Sequence, residues 1–521
     1  MNTVRMGTID PLGVLGRDFI GYVAACAPGA VDEALADPSH YAYSKVSAAV
    51  ERCRQMTDST SLETIHYTVG SFANESGVSY GNALRKWASG EDPPPLEPGT
   101  GILEPLGRVA REIYPALLIP SPTLPSLPST RLSAFQLASV GLLNNPAAKE
   151  VDAALKADDS LMSLFSPEGS TGFIAFANGS GMGIGTDLFS TSVLGAATAR
   201  ARLMHPTFAL DRLIEELTAV IGDLYAIVRG EEINLPVAVS LHGLDVQPGE
   251  RMTLPWGTLL PLDTGVQSAL GEAVGTGGAV FATTISSFVA RGGATDQSPP
   301  TLPAAKMRAY ETELETRIRK TTLALLLMDR EPPRCGVATR SVAITPFFGM
   351  GWASAEVTPN PRPVMQSVLT KEDSSALQSA AALVDVHYAP SLAIPTRRLS
   401  SALMVRHDIE DGLVDAIVAL ESLFAGTDSG ELTFRIGASV AWLIAGAAEE
   451  RLELNREVGK LYTLRSKILH RGYAGQNVSK ERDRTVQLGI ASLRALLEDH
   501  PDLVGEENRG KIIIMRGEGP S

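Results

Sequence analysis

The sequence predicts a multidomain α+β protein with a mainly helical N-terminal region, a strand-bearing middle domain and a C-terminal all-α helical bundle. Three observations predict it. The chain has 521 residues, too long for one ordinary core at roughly 100–200 residues per domain. Hydrophobic residues make up 44% and charged residues 20%, the balance of a globular chain rather than a disordered one. The apolar periodicity changes twice along the chain, from helical to extended and back to helical.

Residues 1–91 read as mainly helical. Within them, residues 72–91 resemble a helix-turn-helix of the repressor type. Gly77 would turn the corner, and residues 79–87 would offer Asn82, Arg85 and Lys86 to DNA. A plain helical hairpin is the alternative. Residues 92–130 hold two proline-rich runs, at 92–98 and 120–128. Proline fixes φ and removes a donor, so this stretch reads as a linker.

Residues 131–229 read as mainly helical. Leu210, Leu213, Ile214, Leu217, Val220, Ile221 and Leu224 repeat at the spacing of an amphipathic helix. The glycine-rich run 179–185 is not followed by Lys-Ser/Thr, so it reads as a turn rather than a phosphate loop. Residues 230–395 form the mixed domain. Strands are expected at 235–241, 253–262, 279–289 and 342–348, a turn at 247–250 and a long helix at 304–328.

After Pro395 the helical period returns. Leu413, Ile417, Leu420 and Phe424 share one face; Leu432, Ile436, Val440 and Leu443 share the next. Leu454, Val458, Leu461, Ile468 and Leu469 mark a third helix, and Leu488, Ala491, Leu493 and Leu496 a fourth. The bundle is expected over 396–505, with 506–521 a frayed tail.

The formal net charge of -14 excludes a global basic footprint for nucleic acid. A locally basic site remains open, because nearby charges set a local field. Cys26, Cys53 and Cys335 show no CxxC spacing, so neither a disulfide framework nor structural zinc is expected, and a reducing cytoplasm fits. His205, His242, His387 and His407 stand alone without metal-ligand spacing, and Trp256 and Trp442 read as core. No metal or cofactor is expected. No apolar run approaches the ~18–20 residues of a membrane helix, and no basic leader precedes 19–27, so neither a membrane partner nor a signal peptide is expected.

One run concentrates chemistry: Arg465-Ser466-Lys467-Ile468-Leu469-His470. Arginine presents a planar fork of donors to phosphate oxygens, and histidine exchanges a proton near neutral pH. Together they suit cleavage of RNA by its own 2′-hydroxyl. Lys460, Lys467, Arg471, Lys480, Arg482 and Arg484 make the surroundings basic. On an ideal helix, however, Arg465 and His470 lie ~140° apart and share no face, whereas Ser466 and His470 do.

Three pieces, in order and spacing, carry a wider likeness: residues 398–400 with 410–424, residues 431–435, and residues 461–472. Together they resemble the Apea-like branch of the HEPN superfamily, over about 396–500. The resemblance implies a helical bundle that pairs as a homodimer or higher homo-oligomer, so that two Arg/His motifs line one cleft. It implies metal-independent cleavage of RNA, leaving a 2′,3′-cyclic phosphate and a 5′-hydroxyl, as in toxins and antiviral-defence effectors. By that likeness His470 is the acid/base, Arg465 the phosphate ligand, and Tyr462, Ser466 and Lys467 are supporting groups. Glu410, Asp411 and Glu421 match acidic positions, either functional or orienting arginines such as Arg435. Residues around 241–244 and 254–259 faintly resemble the region preceding such domains, which implies a sensing or substrate-presenting role. A HEPN module that binds a nucleotide or partner without cutting stays open, and a DNA-binding regulator is a weaker alternative.

Overall fold

The computed structural model of the chain describes residues 10–57, 68–69, 77–97, 99–120, 146–165, 172–270, 278–292, 300–347, 354–358, 361, 366–426, 432–475 and 477–516. It is a mixed helical and strand fold. Expectations that fall on residues 72–76, most of 120–128, the end of the strand expected at 342–348, most of the break at 426–430, Glu431 and the last five residues lie outside the described set.

Helices α1 (Pro11–Val23), α2 (Pro28–Ala36), α3 (Tyr43–Thr57), α4 (Tyr80–Ser89) and α5 (Leu103–Leu117) open the chain. The α5 helix corrects the linker expected over 92–130. Its apolar positions Leu106, Val109, Ala110 and Ile113 are fully buried, at a spacing the neighbouring prolines had masked. Asn82 is also fully buried, donating to Glu112 at 2.7 Å and accepting from Tyr22 at 2.5 Å. Arg85 is taken by the Tyr22 carbonyl and Glu91, and Lys86 pairs with Asp92. The face expected to read DNA is therefore built into the core or neutralised.

Helices α6 (Pro146–Lys156) and α7 (Asp159–Met162) lead into strands β1 (Gly172–Phe176) and β2 (Gly181–Ile184), followed by α8 (Phe189–Met204) and α9 (Leu210–Val228). The glycine-rich run expected as a turn is thus partly a strand. β2 pairs antiparallel with β1, which also pairs with β8 (Val289–Arg291).

The main sheet has six strands in the order β10-β9-β3-β7-β6-β5, all antiparallel. These are β3 (Ile233–His242), β5 (Met252–Leu254), β6 (Gly257–Pro261), β7 (Ala279–Ser287), β9 (Val337–Ala343) and β10 (Ser354–Glu356). The strand expected at 342–348 begins five residues earlier, at Val337. Val237, Ala238 and Val239 are buried in succession, which requires both faces of the sheet to be covered. β4 (Leu244–Val246) and β11 (Ser367–Leu369) pair in parallel at one side. Between β4 and β5 the chain turns at Gly249, whose φ of 84° suits glycine.

Helix α10 (Thr264–Leu270) lies between β6 and β7, and the long α11 (Ala304–Leu327) packs across β7. It leads through α12 (Ser374–His387) to α13 (Ala393–Ser400), a π-helical turn (Ser401–Val405), α14 (Ile409–Phe424), α15 (Leu432–Ile444), α16 (Ala448–Arg471), α17 (Ser479–Glu498) and α18 (Arg509–Arg516). The boundary expected at Pro395 falls inside α13. The tail expected to fray from 506 instead carries α18, with Ile513 buried.

Buried apolar side chains from Leu15 to Ile513 form one connected core. Arg494 of α17 donates to the Leu327 carbonyl at 2.9 Å, which ties the last helices to the end of α11. Among the described residues no single helix is long and apolar enough to cross a membrane, and the three cysteines are free.

Candidate functional site

Helix α16 carries the Arg465–His470 run, and both its ends are defined. The Glu450 carboxylate accepts from the Ala447 N–H at 3.3 Å. At the other end Gly472, with φ of 79°, donates to the Ile468 carbonyl at 2.9 Å. A left-handed residue just past the last turn is the usual glycine stop. The helix therefore runs regularly through His470 and Arg471, and the ~140° between Arg465 and His470 is not relieved by an early ending.

The buried stripe of α16 is Leu454, Val458, Leu461, Tyr462 and Ile468. Arg465 stands on this side and turns toward α14, where its Nη2 donates to Glu421 Oε2 at 3.3 Å. The two side chains retain 28% and 17% exposure. Tyr462 faces the same carboxylate; burial first, then the Glu421 charge, pushes its hydroxyl pKa up. Glu410, Asp411 and Glu421, expected either to be functional or to orient arginines such as Arg435, differ in what they meet. Glu421 holds Arg465, Glu410 accepts from the Ala474 N–H at 2.7 Å, Asp411 is exposed, and Arg435 donates to the Ala425 carbonyl.

His470 lies on the open side with Ser466, Lys467 and Arg471, all exposed. Of the expected basic residues, Lys460, Lys467, Arg471 and Lys480 are exposed and form no ion pair among the described residues. Arg482 and Arg484 do not join them. Arg482 is mostly covered and bonded to Asp483, and Arg484 makes two bonds to Glu457. His205 bonds to Glu216 at 2.7 Å, and no group of His, Cys, Asp and Glu among the described residues could hold a metal ion.

Sequence reasoning missed a deeply enclosed charge of these helices. Asp415 of α14 is 3% exposed. It accepts from Arg398 Nη1 at 2.6 Å, Arg406 Nε at 2.7 Å and Ser401 Oγ at 2.7 Å. Its signal was present: an acid beside Gly412, Leu413 and Ala416 on the face that α14 buries. In one chain, then, Arg465 points inward and His470 outward. Among family models, curated proteins and solved structures, none matches this chain.

Proposed function

We propose that residues 396–505 act as a HEPN-type module and that the protein is a metal-independent endoribonuclease, a toxin or defence effector governed by its N-terminal parts. The observation that carries the reading is His470, exposed in the last turn of α16 beside the exposed cations Lys467 and Arg471, in a chain whose net charge is -14. Local positive charge in an acidic molecule concentrates a polyanion at one place.

In this chemistry the 2′-oxygen of RNA forms a bond to phosphorus and the bond to the 5′-oxygen breaks. A base takes the 2′-proton and an acid returns one to the leaving oxygen. In this reading His470, which is exposed, carries the proton transfer. Arg465 spends one N–H on Glu421, and a guanidinium has five, so its fork keeps donors for a phosphate. Because the two side chains diverge on one helix, the site needs two copies of α16 facing each other.

The test is purified full-length protein with mixed RNA and excess chelator. Cleavage that leaves cyclic-phosphate ends, and falls by about 10²-fold or more in His470→Ala, is expected for loss of an acid/base group. Equal cleavage by the variant overturns the assignment. A second reading, a module that binds nucleotide or partner without cutting, is favoured by the Arg465–Glu421 pair, which engages the arginine without substrate. In that case RNA stays intact and His470→Ala changes binding alone.

A further inference from the structure

Away from α16, a cavity of about 430 Å³ opens between the β5–β6 hairpin, β7, the middle of α11 and the end of α8. Its size suits a small-molecule ligand. Three cations line it, Arg251, Arg317 and Lys320, against one carboxylate, Glu313.

Each cation is held in place. Arg251 donates to the His205 carbonyl at 2.9 Å and to the Leu203 carbonyl, and among the described residues it has no ion-pair partner. A guanidinium has five N–H donors, so these bonds leave others unspent. Arg317 reaches Thr283 Oγ1 at 2.7 Å, the Thr284 carbonyl at 2.6 Å and Glu313 at 2.7 Å. Lys320 pairs with Asp385 at 2.9 Å and lies 5.1 Å above the Trp256 ring. The indole is itself fixed, donating to Thr321 at 2.8 Å, while Thr283 donates to the Trp256 carbonyl at 2.7 Å.

We infer that this cleft binds a small phosphorylated ligand of nucleotide size, with Arg251, Arg317 and Lys320 on its phosphate oxygens. The cations exceed the acids of the wall although the whole chain is acidic. Arg251 is desolvated and, among the described residues, bonds main-chain carbonyls rather than a carboxylate, an arrangement that an incoming anion completes. Two guanidinium forks converging on one cavity match the several oxygens of a phosphate chain better than the two of a single carboxylate. The scaffold is ordered beforehand by the Arg317–Thr283–Trp256 chain, which lowers the entropic cost of binding. This assignment stands apart from the ribonuclease reading.

The test is calorimetric titration of the full chain with ATP, tripolyphosphate and inorganic phosphate. Saturable binding of ATP or tripolyphosphate is expected below about 1 mM, weakened about tenfold or more in Arg317→Gln and in Lys320→Gln. Unchanged unfolding midpoints without ligand certify that the variants fold. Equal binding of ATP and tripolyphosphate assigns the site to phosphates alone; a preference for ATP adds the ring. If neither binds, or if both substitutions leave binding unchanged, the proposal fails.

Discussion

At Asp415 two arginines and a serine hydroxyl converge on one carboxylate that solvent barely reaches. Burial opposes the charge, but Arg406, Ser401 and Arg398 outweigh it and hold the pKa below the usual carboxylate range. The folded pKa lies below that of the unfolded chain. The stability it supplies is therefore complete above about pH 4 and is lost as pH falls through the lowered value. Asp415→Asn is expected to cost about 3 kcal/mol at pH 7 by urea denaturation. That is the lower end for breaking a buried pair, since both arginines keep a wet edge. The loss should shrink toward pH 3; a constant loss would mean that the charge is not what matters. The acid's place on a buried helix face is visible in sequence, but its partners are not: Arg398 and Asp415 are 17 positions apart. The same holds for Arg465 and Glu421, 44 apart. A motif shows which side chains are present, not which of them is already engaged.

At the scale of elements, legibility followed apolar period. The helices at 210–228 and 409–424 were readable because seven and four apolar residues repeat on one face of each, and the helix at 304–327 because it is rich in the helix formers Glu, Arg, Lys and Leu. Where the period was diluted, it failed. Pro105 and Pro115 disguised α5, glycines disguised β2, and the short isoleucine run of α18 was taken for a tail. α18 earns its place through close contact. A Cβ on Gly510 would sit 2.5 Å from the Phe424 carbonyl and 2.9 Å from Ser439 Oγ, and Ser439 donates to the Gly510 carbonyl at 3.0 Å. Gly510→Ala should therefore lift α18 off α14 and α15, at about 1–3 kcal/mol for overpacking. Hydrogen exchange checks it: amides of 509–516 should exchange faster while those of α16 hold. Unchanged protection of α18 would show that the neighbours can yield.

At the scale of the whole molecule, the proposed nuclease depends on what faces α16. Gly437 packs beside Asn455 and Trp442 lies under Arg451, so α15 and α16 run as an antiparallel pair. Leu432, the first residue of α15, then stands level with about residue 460. At 1.5 Å per residue, the remaining 11 residues of α16 extend about 16 Å past it. α14 supports one side of this extension through Glu421, and the turn after it through Glu410; on the other side Ser466, Lys467, Leu469 and His470 are exposed. Two apolar side chains stand out there, Leu469 at 55% and Tyr473 at 62% exposure, bracketing His470. Apolar side chains beside a polar reactive group are suited to pairing between copies. Such pairing would also let the Arg465 and His470 faces of two copies of α16 share a substrate. The double variant Leu469→Glu with Tyr473→Glu places two charges on each half of such an interface. Light scattering should give twice 55.1 kDa for the native chain and 55.1 kDa for the variant, with RNA cleavage lost and far-UV circular dichroism unchanged. A native chain that cuts RNA at 55.1 kDa would remove the paired site, and would require Arg465 and His470 to serve the phosphate from opposite sides of a single helix.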